Sequence, residues 1–262
     1  MATPRIQSVD RAFSLLAQIT ESETRNNLPL MACRAGLSVA TAHRLLATLE
    51  SLGVVVRTRV GGYQIGMKVH ELARYGSPNE ILSVAAVPAL RKLVRLTGFT
   101  AHVGVLNEDF MVDYVAKEGP ARGFKVRTRL GSQLEAYCTG LGKVLLAGVP
   151  EQTLDAYLHD GPFVALTDQT IVDPQALRAE FERVRLEGAA FDDREFHDEL
   201  RCVAVPVRDA RGSVVAAMSL ADGAALLTLD CVGGVAELLR EHAAQLGHKL
   251  FPSAPLASHL PN

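Results

Sequence analysis

The residues best equipped for chemistry in this 262-residue chain lie in its second half. The run "DDREFHDE", residues 192–199, brings Asp192, Asp193, Glu195 and His197 close together in sequence. Such donors could gather around a divalent cation or act as acid and base. Just beyond them Cys202 offers a thiol, a nucleophile only when ionised. Each has a plainer reading: an acidic run is commonly a solvated loop, and a cysteine inside "RCVAVPV" is commonly an inert small hydrophobe. No G-x-S-x-G, H-E-x-x-H, G-x-x-x-x-G-K-[ST] or G-x-G-x-x-G accompanies them. A metal-dependent or cysteine hydrolase built on residues 192–202, with the N-terminal helices used for dimerisation, is therefore the alternative and not the leading expectation. The other cysteines, Cys33, Cys138 and Cys231, form no C-x-x-C pair. Neither a zinc site nor a disulfide framework is indicated, and no cofactor is expected.

Binding chemistry is the stronger expectation. If "DARG" at 209–212 is a hairpin turn, Arg208 faces Ser213, and counting back along both strands sets Cys202 opposite Ser219. Two small polar groups would then share one sheet face. The glycines of "CTGLGK" allow close approach, and the N–H groups opening the helix that follows make a natural carboxylate seat. A pocket for a small anion is reasonable on these grounds, although Cys202 and Ser219 packed in a core would satisfy the same pattern.

A second candidate site lies near the N-terminus. In "GLSVATAHRLLATLESLGVV" Ser38 can cap a helix whose stripe Ala42, Leu45, Leu46, Leu49 and Leu52 faces a core. The same rotation turns Ala40, His43, Arg44, Ala47 and Ser51 outward, a low face able to come close to another surface. Ahead of it, "SVDRAFSLLAQI" sets Val9, Ala12, Phe13, Leu16 and Ile19 at helical spacing, and "LMACRAGL" is a short helix stopped by Gly36. Behind it, "VVVRTRVGGYQIG" reads as two strands turning at Gly61-Gly62. Helix, helix-turn-helix and wing is the arrangement of a winged DNA reader, whose recognition helix must fit a groove about 12 Å wide. Arg44 would reach a phosphate or guanine, His43 a base edge, Thr41 a phosphate near the helix start, and Arg57 and Arg59 the flanking backbone.

The bulk properties agree with two domains of different task. Residues 1–75 carry nine Lys+Arg against five Asp+Glu, and the remainder eighteen against twenty-four, within a chain of net charge −2. A small basic module on a larger acidic one suits contact with a polyanion by the first alone. No apolar run is long enough for a membrane span and no leader pattern opens the chain, so a cytoplasmic protein without membrane association is expected. "MKVHELARYGSPNEILSVAAVPALRKLVRLTG" predicts a connecting helix, a break at Ser77-Pro78 and a second helix to Gly98. Beyond it come a hairpin in "TAHVGVLNEDFMVDYVA", more strand in "GFKVRTRLGSQLEAY", a helix from "CTGLGKVLLAGV", and a helix between Asp173 and Gly188. A long hairpin, a final helix near 229–250 and a tail with prolines, read as disordered over 251–262, complete the chain. The expected class is α+β: residues 1–75 a winged helix-turn-helix with the start of a linker helix, residues 76–250 the larger domain.

"SVDRAFSLLAQI", the 36–55 stretch and "YQIGMKVHELA" resemble the DNA-binding half of the IclR family of bacterial transcriptional regulators. "YCTGLGKVLLA", "TIVDPQALRAEFERVRLEGAAFDDREF" and "LRCVAVPVRDARGSVVAAMSL" resemble that family's GAF-like effector-binding domain. The resemblance implies a ligand-responsive regulator and no enzyme, binding double-stranded operator DNA as a homodimer or tetramer through Ser38, Ala40, Thr41, His43, Arg44, Arg57 and Arg59. It also implies a small organic acid held by Gly140, Leu141, Asp192, Cys202 and Ser219. Two departures stand out: Ser38-Val39-Ala40 replaces a frequent Pro-Lys-Ser, and Ala221 replaces a second serine. "AYCTGLGKVLLA" is similar to the branch that senses aromatic acids such as hydroxybenzoates. Leu130, Leu134, Met111 and Met218 are candidate apolar walls.

Overall fold

The computed structural model describes residues 5–21, 27–59, 61–121, 126 and 128–252, which fall into two compact units meeting in sequence at Ser77 and Pro78.

The first unit comprises helices α1 (Gln7–Glu21), α2 (Leu28–Arg34) and α3 (Val39–Ser51), strands β1 (Val55–Arg57) and β2 (Tyr63–Ile65), and helix α4 (Met67–Ala73). Local chemistry marks each boundary. Asn27 Oδ1 accepts from the Leu30 N–H at 3.0 Å to start α2, and Ser38 Oγ accepts from the Thr41 N–H at 3.2 Å to start α3. Between them Gly36 sits at φ 62°, a left-handed conformation that costs other residues energy, and it lets the Leu37 N–H reach the Ala32 carbonyl. Leu15, Ile19, Met31, Ala42, Leu46, Val55 and Tyr63 form the core.

Three expected core positions prove exposed: Val9 (49 %), Phe13 (67 %) and Leu52 (60 %). In α1 the packed side runs through Leu15 and the expected Ile19, because α1 meets α3 and β2 along that line. Leu52 is the C-cap of α3 and lies beyond the last turn that the core covers.

The second unit opens with α5 (Pro78–Thr97), followed by β3 (Thr100–Leu106), β4 (Met111–Glu118), β5 (Gln133–Glu135), α6 (Gly140–Ala147), α7 (Glu151–His159) and α8 (Pro174–Glu187). Then come β6 (Ala190–Asp193), β7 (Leu200–Arg208), β8 (Val214–Gly223), a 3-10 turn at Leu229–Cys231 and α9 (Val232–Leu250). The sheet is antiparallel throughout, in the order β5-β4-β3-β8-β7-β6. Strand alternation sends Val103, Val205, Met218 and Leu220 to one face, where Leu90 and Leu93 of α5 and Leu239 and Leu246 of α9 cover them. Ala204 and Ala217 point to the opposite face, beneath Leu141 and Val144 of α6 and Phe181 of α8. Asp173 caps α8, and Gly188, at φ 64°, ends it.

The architecture is α+β, as the sequence pattern indicates, with differences in detail. Within "GFKVRTRLGSQLEAY" only Gln133–Glu135 is strand among the described residues. Residues 122–125, 127 and 253–262 lie outside the described set, which takes in most of the tail expected to be disordered. "DDREFHDE" begins not as a loop but as edge strand β6, whose Asp192 and Asp193 pair with Cys202 and Arg201. Helix α7, which the sequence reading passes over, buries only Leu154 and Leu158, too short an apolar stripe to stand out.

Candidate functional site

On α3, Ser38, Ala40, His43, Arg44 and Ala47 are exposed along one side, and Thr41 is half-buried with its hydroxyl 2.9 Å from Ser38 Oγ. Thr48 and Ser51 turn their hydroxyls back to the Arg44 and Thr48 carbonyls, at 2.9 and 2.8 Å, which keeps this face low. Arg57 is engaged locally: Nε lies 3.5 Å from Glu50 Oε2, and the guanidinium stands 5.5 Å from the Tyr63 ring centre. It braces the hairpin against the end of α3, while Arg59 is exposed beside the turn. A backbone that another surface can approach closely, with one long cation projecting, is what groove contact requires. Ser38→Ala is expected to cost about 1 kcal/mol by leaving the Thr41 N–H unpaired; a thermal melt of the first unit's helical signal checks it, and an unchanged midpoint would deny the cap any weight.

The second constellation is built by strand register. Thr100, Ala221, Cys202 and Asp192 form one row across β3, β8, β7 and β6. His102, Ser219, Ala204 and Ala190 form the next row on the same face. Cys202 therefore faces Ala221 directly and not Ser219. The hairpin closes with the Asp209 N–H on the Ser213 carbonyl, one residue off the expected register, and a bulge between Val207 and Arg208 adds another. A two-residue slip preserves the face, so Cys202 and Ser219 remain diagonal neighbours.

These rows floor a small cavity beneath the start of α6. Its polar side is His102, Tyr114, Thr128, Thr139, Asp192, Cys202 and Ser219, with the Gly140 backbone. Its apolar side is Val126, Leu134, Phe196, Leu200 and Ala221. The cavity measures about 20 Å³, room for one or two waters. Of the four walls expected from sequence Leu134 alone is present: Met218 points to the other face, Leu130 is 63 % exposed, and Met111 does not reach the cavity. Leu141 also stays out, its side chain buried over Gly104. α6 can lie so low because Gly142 has no side chain: a Cβ there would stand 2.1 Å from the Ala136 carbonyl oxygen.

Burial sets the charges. Asp192 Oδ1 accepts from the Glu195 N–H at 2.8 Å and the Phe196 N–H at 3.3 Å. Desolvation nonetheless pushes its carboxyl up to about 7, with the nearby Glu195 charge adding to the rise and the backbone bonds and Lys143 opposing it. Burial, then Asp192, raises the Cys202 thiol to about 12. His102 is driven down to about 3 by burial and by Lys117, so its ring is neutral; Nε2 lies 2.8 Å from Thr128 Oγ1. Ser219 Oγ, 1 % exposed, has no well-aligned hydrogen-bond partner, although the Cys202 thiol is close enough to interact with it.

This geometry does not favour the hydrolase alternative. A buried thiol held protonated beside a carboxylate is a poor nucleophile. The acidic side chains diverge: Asp193 binds Arg201 at 2.7 Å and Arg194 at 3.2 Å, and Glu195 meets buried Lys143. His197 is exposed, with Nδ1 accepting from the Glu199 N–H. Among the described residues no three His, Cys, Asp or Glu side chains are placed to share a metal ion.

Sequence reasoning missed His102, Tyr114 and Lys143. Alternation in "TAHVGVL" carries the signal for His102, since counting inward from Thr100 puts it on the α6 face. Lys143, within a helix buried on all sides, carries no such signal.

Two family profiles match the chain: "IclR helix-turn-helix domain" over residues 8–59 and "Bacterial transcriptional regulator IclR C-terminal" over 74–248. The HTH-type transcriptional regulator XynR of Escherichia coli is 34 % identical over 218 residues, 83 % of this chain and 86 % of that protein. The crystal structure of a transcriptional regulator from Rhodococcus sp. RHA1 superposes with TM-score 0.63 at 32 % identity, covering 94 % of this chain and 98 % of the other. That of Thermotoga maritima IclR superposes with TM-score 0.62 at 28 % identity, covering 94 % and 99 %.

Proposed function

This chain belongs to the IclR family of bacterial transcriptional regulators, and from that premise we propose that it binds operator DNA as a dimer and answers to a small organic carboxylate. The outer face of α3, with Ser38, Ala40, Thr41, His43 and Arg44, enters the major groove, and Arg57 and Arg59 lie along the flanking backbone. The cavity beneath α6 takes the acid. Its carboxylate meets the Gly140 N–H and the Ser219 hydroxyl, and its apolar body lies toward Val126, Leu134 and Phe196. Ser219 Oγ carries this reading, because a buried hydroxyl without a good partner in a polar cavity is costly unless something else completes it.

Aromatic acids such as hydroxybenzoates are the bulkier members of the class, and the cavity must widen to admit a ring. Ala221, where a second serine would stand, leaves a methyl group facing Cys202 and favours a ligand with an apolar body over a very small keto acid. Regulation follows only if the acid binds the DNA-competent and DNA-incompetent arrangements with different affinity. No helix among the described residues is long and apolar enough to cross a membrane.

The test is fluorescence anisotropy on labelled DNA from upstream of the protein's own gene, with and without benzoate, 4-hydroxybenzoate and pyruvate. Sequence-specific binding shifted by one acid is the expected result. Specific binding that no acid shifts would end the carboxylate reading, and binding no tighter than to scrambled DNA would end the operator reading. In the same assay Ser219→Ala and Cys202→Ser are each expected to change the acid concentration for half-response by about tenfold, the worth of one buried hydrogen bond. DNA affinity without acid should hold.

A further inference from the structure

Asp192 puts a second carboxyl in the cavity proposed for a carboxylate. It is 2 % exposed and lines the same small space. Its Oδ1 is taken by two backbone N–H groups, and Oδ2 accepts no hydrogen bond from the described residues. Across the ladder it faces Cys202, whose sulfur lies against Gly140 at the start of α6. Asp192 and the proposed carboxylate seat thus flank one sulfur atom, which sets the two carboxyl groups close together in a buried site.

Among the described residues, the groups around Asp192 supply no spare positive charge. Lys143 of α6 lies nearest, but its Nζ donates to Glu195 Oε1, to Glu180 Oε1 of α8 at 3.1 Å and to the Phe191 carbonyl at 3.3 Å. Lys117 of β4 donates to the Val126 and Thr128 carbonyls at 2.7 and 2.6 Å. His102 of β3 is neutral, and burial keeps Tyr114 of β4, Cys138 and Cys202 protonated. Glu195, on the turn after β6, adds negative charge. Two carboxylates in one buried site without a cation cannot both be ionised; one proton between them converts repulsion into a strong O–H···O⁻ hydrogen bond.

We infer that the cavity binds its carboxylate ligand together with one proton, shared between the ligand and Asp192, so that the ligand is a monocarboxylate and binding is coupled to proton uptake. The inference rests on the carboxylate reading above. The sign follows from linkage: ionised Asp192 repels the ligand and protonated Asp192 donates to it, so affinity falls as pH rises through the range in which free Asp192 ionises. With that carboxyl near 7, the dissociation constant is expected to be flat below about pH 6 and to rise about tenfold per pH unit above 7.

Calorimetric titration of the full chain with benzoate and with pyruvate, neither of which titrates between about pH 6 and pH 8.5, tests this at each pH in two cationic buffers that hold that pH and differ in ionisation enthalpy. Uptake approaching one proton per ligand at about pH 8.5, and far less at pH 6, is expected. Asp192→Asn keeps a donor but cannot ionise, and should bind with an affinity independent of pH. The proton count on the unmodified chain stands even if that variant fails to fold. Binding with equal heat in both buffers and no pH slope would overturn the inference and leave the carboxylate reading intact. If neither acid binds at any pH, the carboxylate reading falls and takes this inference with it.

Discussion

Lys143→Met is expected to lower the stability of the second unit by about 3–5 kcal/mol, the range for removing one member of a buried ion pair. Lys143 is 1 % exposed, and its ammonium binds Glu195, itself only 5 % exposed, and Glu180. Glu195 Oε2 already lacks a partner, so the variant would leave a buried carboxylate without its cation. Methionine nearly matches the lost volume, which makes the deficit electrostatic and not a cavity. Burial raises the Glu195 carboxyl while Lys143 opposes that rise, so without the lysine Glu195 takes a proton more readily. The deficit should therefore shrink as pH falls, and the double replacement Lys143→Met with Glu195→Leu should recover most of it. Urea denaturation across pH measures both effects; a deficit under about 1 kcal/mol would mean water or rearrangement already screens the pair.

Arg44→Ala is expected to weaken operator binding by about 1–3 kcal/mol, roughly 5- to 150-fold. Arg44 is the only arginine or lysine on α3, and its face is otherwise built of small side chains and His43. The salt dependence tells which contact it makes. A phosphate contact would lower the slope of log affinity against log salt by about one and weaken all sequences alike. A guanine contact would instead relax specificity at one base pair. Affinity for the acid should not change, and parallel loss of both would point to misfolding. Arg57→Ala should act differently, because Arg57 also braces the hairpin through Glu50 and Tyr63. Its loss is expected to reduce affinity with a smaller change in salt slope.

Much of the first unit could be read from sequence because its signals are local. Ser38 as cap, Gly36 as turn and the Ala42–Leu46–Leu49 stripe each depend on residues within a turn or two of one another. The errors there, Val9, Phe13 and Leu52, came where periodicity names a stripe but not how far a neighbouring element covers it. The same limit applied to "DDREFHDE", whose composition speaks for solvent while its pairing with β7 buries Asp192.

By itself, then, the sequence determined the two-part organisation, the winged reader with its low outward helix face and the α+β class, since helical period, strand alternation, caps and glycines are properties of short stretches, while its longer motifs carried the resemblance to the family. Tertiary structure alone decided what the second unit's face looks like. A closing turn one residue longer than expected and one bulge moved Cys202 from Ser219 to Ala221. Packing of four strands under α6 brought His102, Asp192 and Ser219, up to 117 residues apart, into one cavity. Burial then set their charges, leaving His102 neutral and Asp192 near the balance between its two forms. Register and desolvation depend on residues distant in the chain, and no local pattern encodes them.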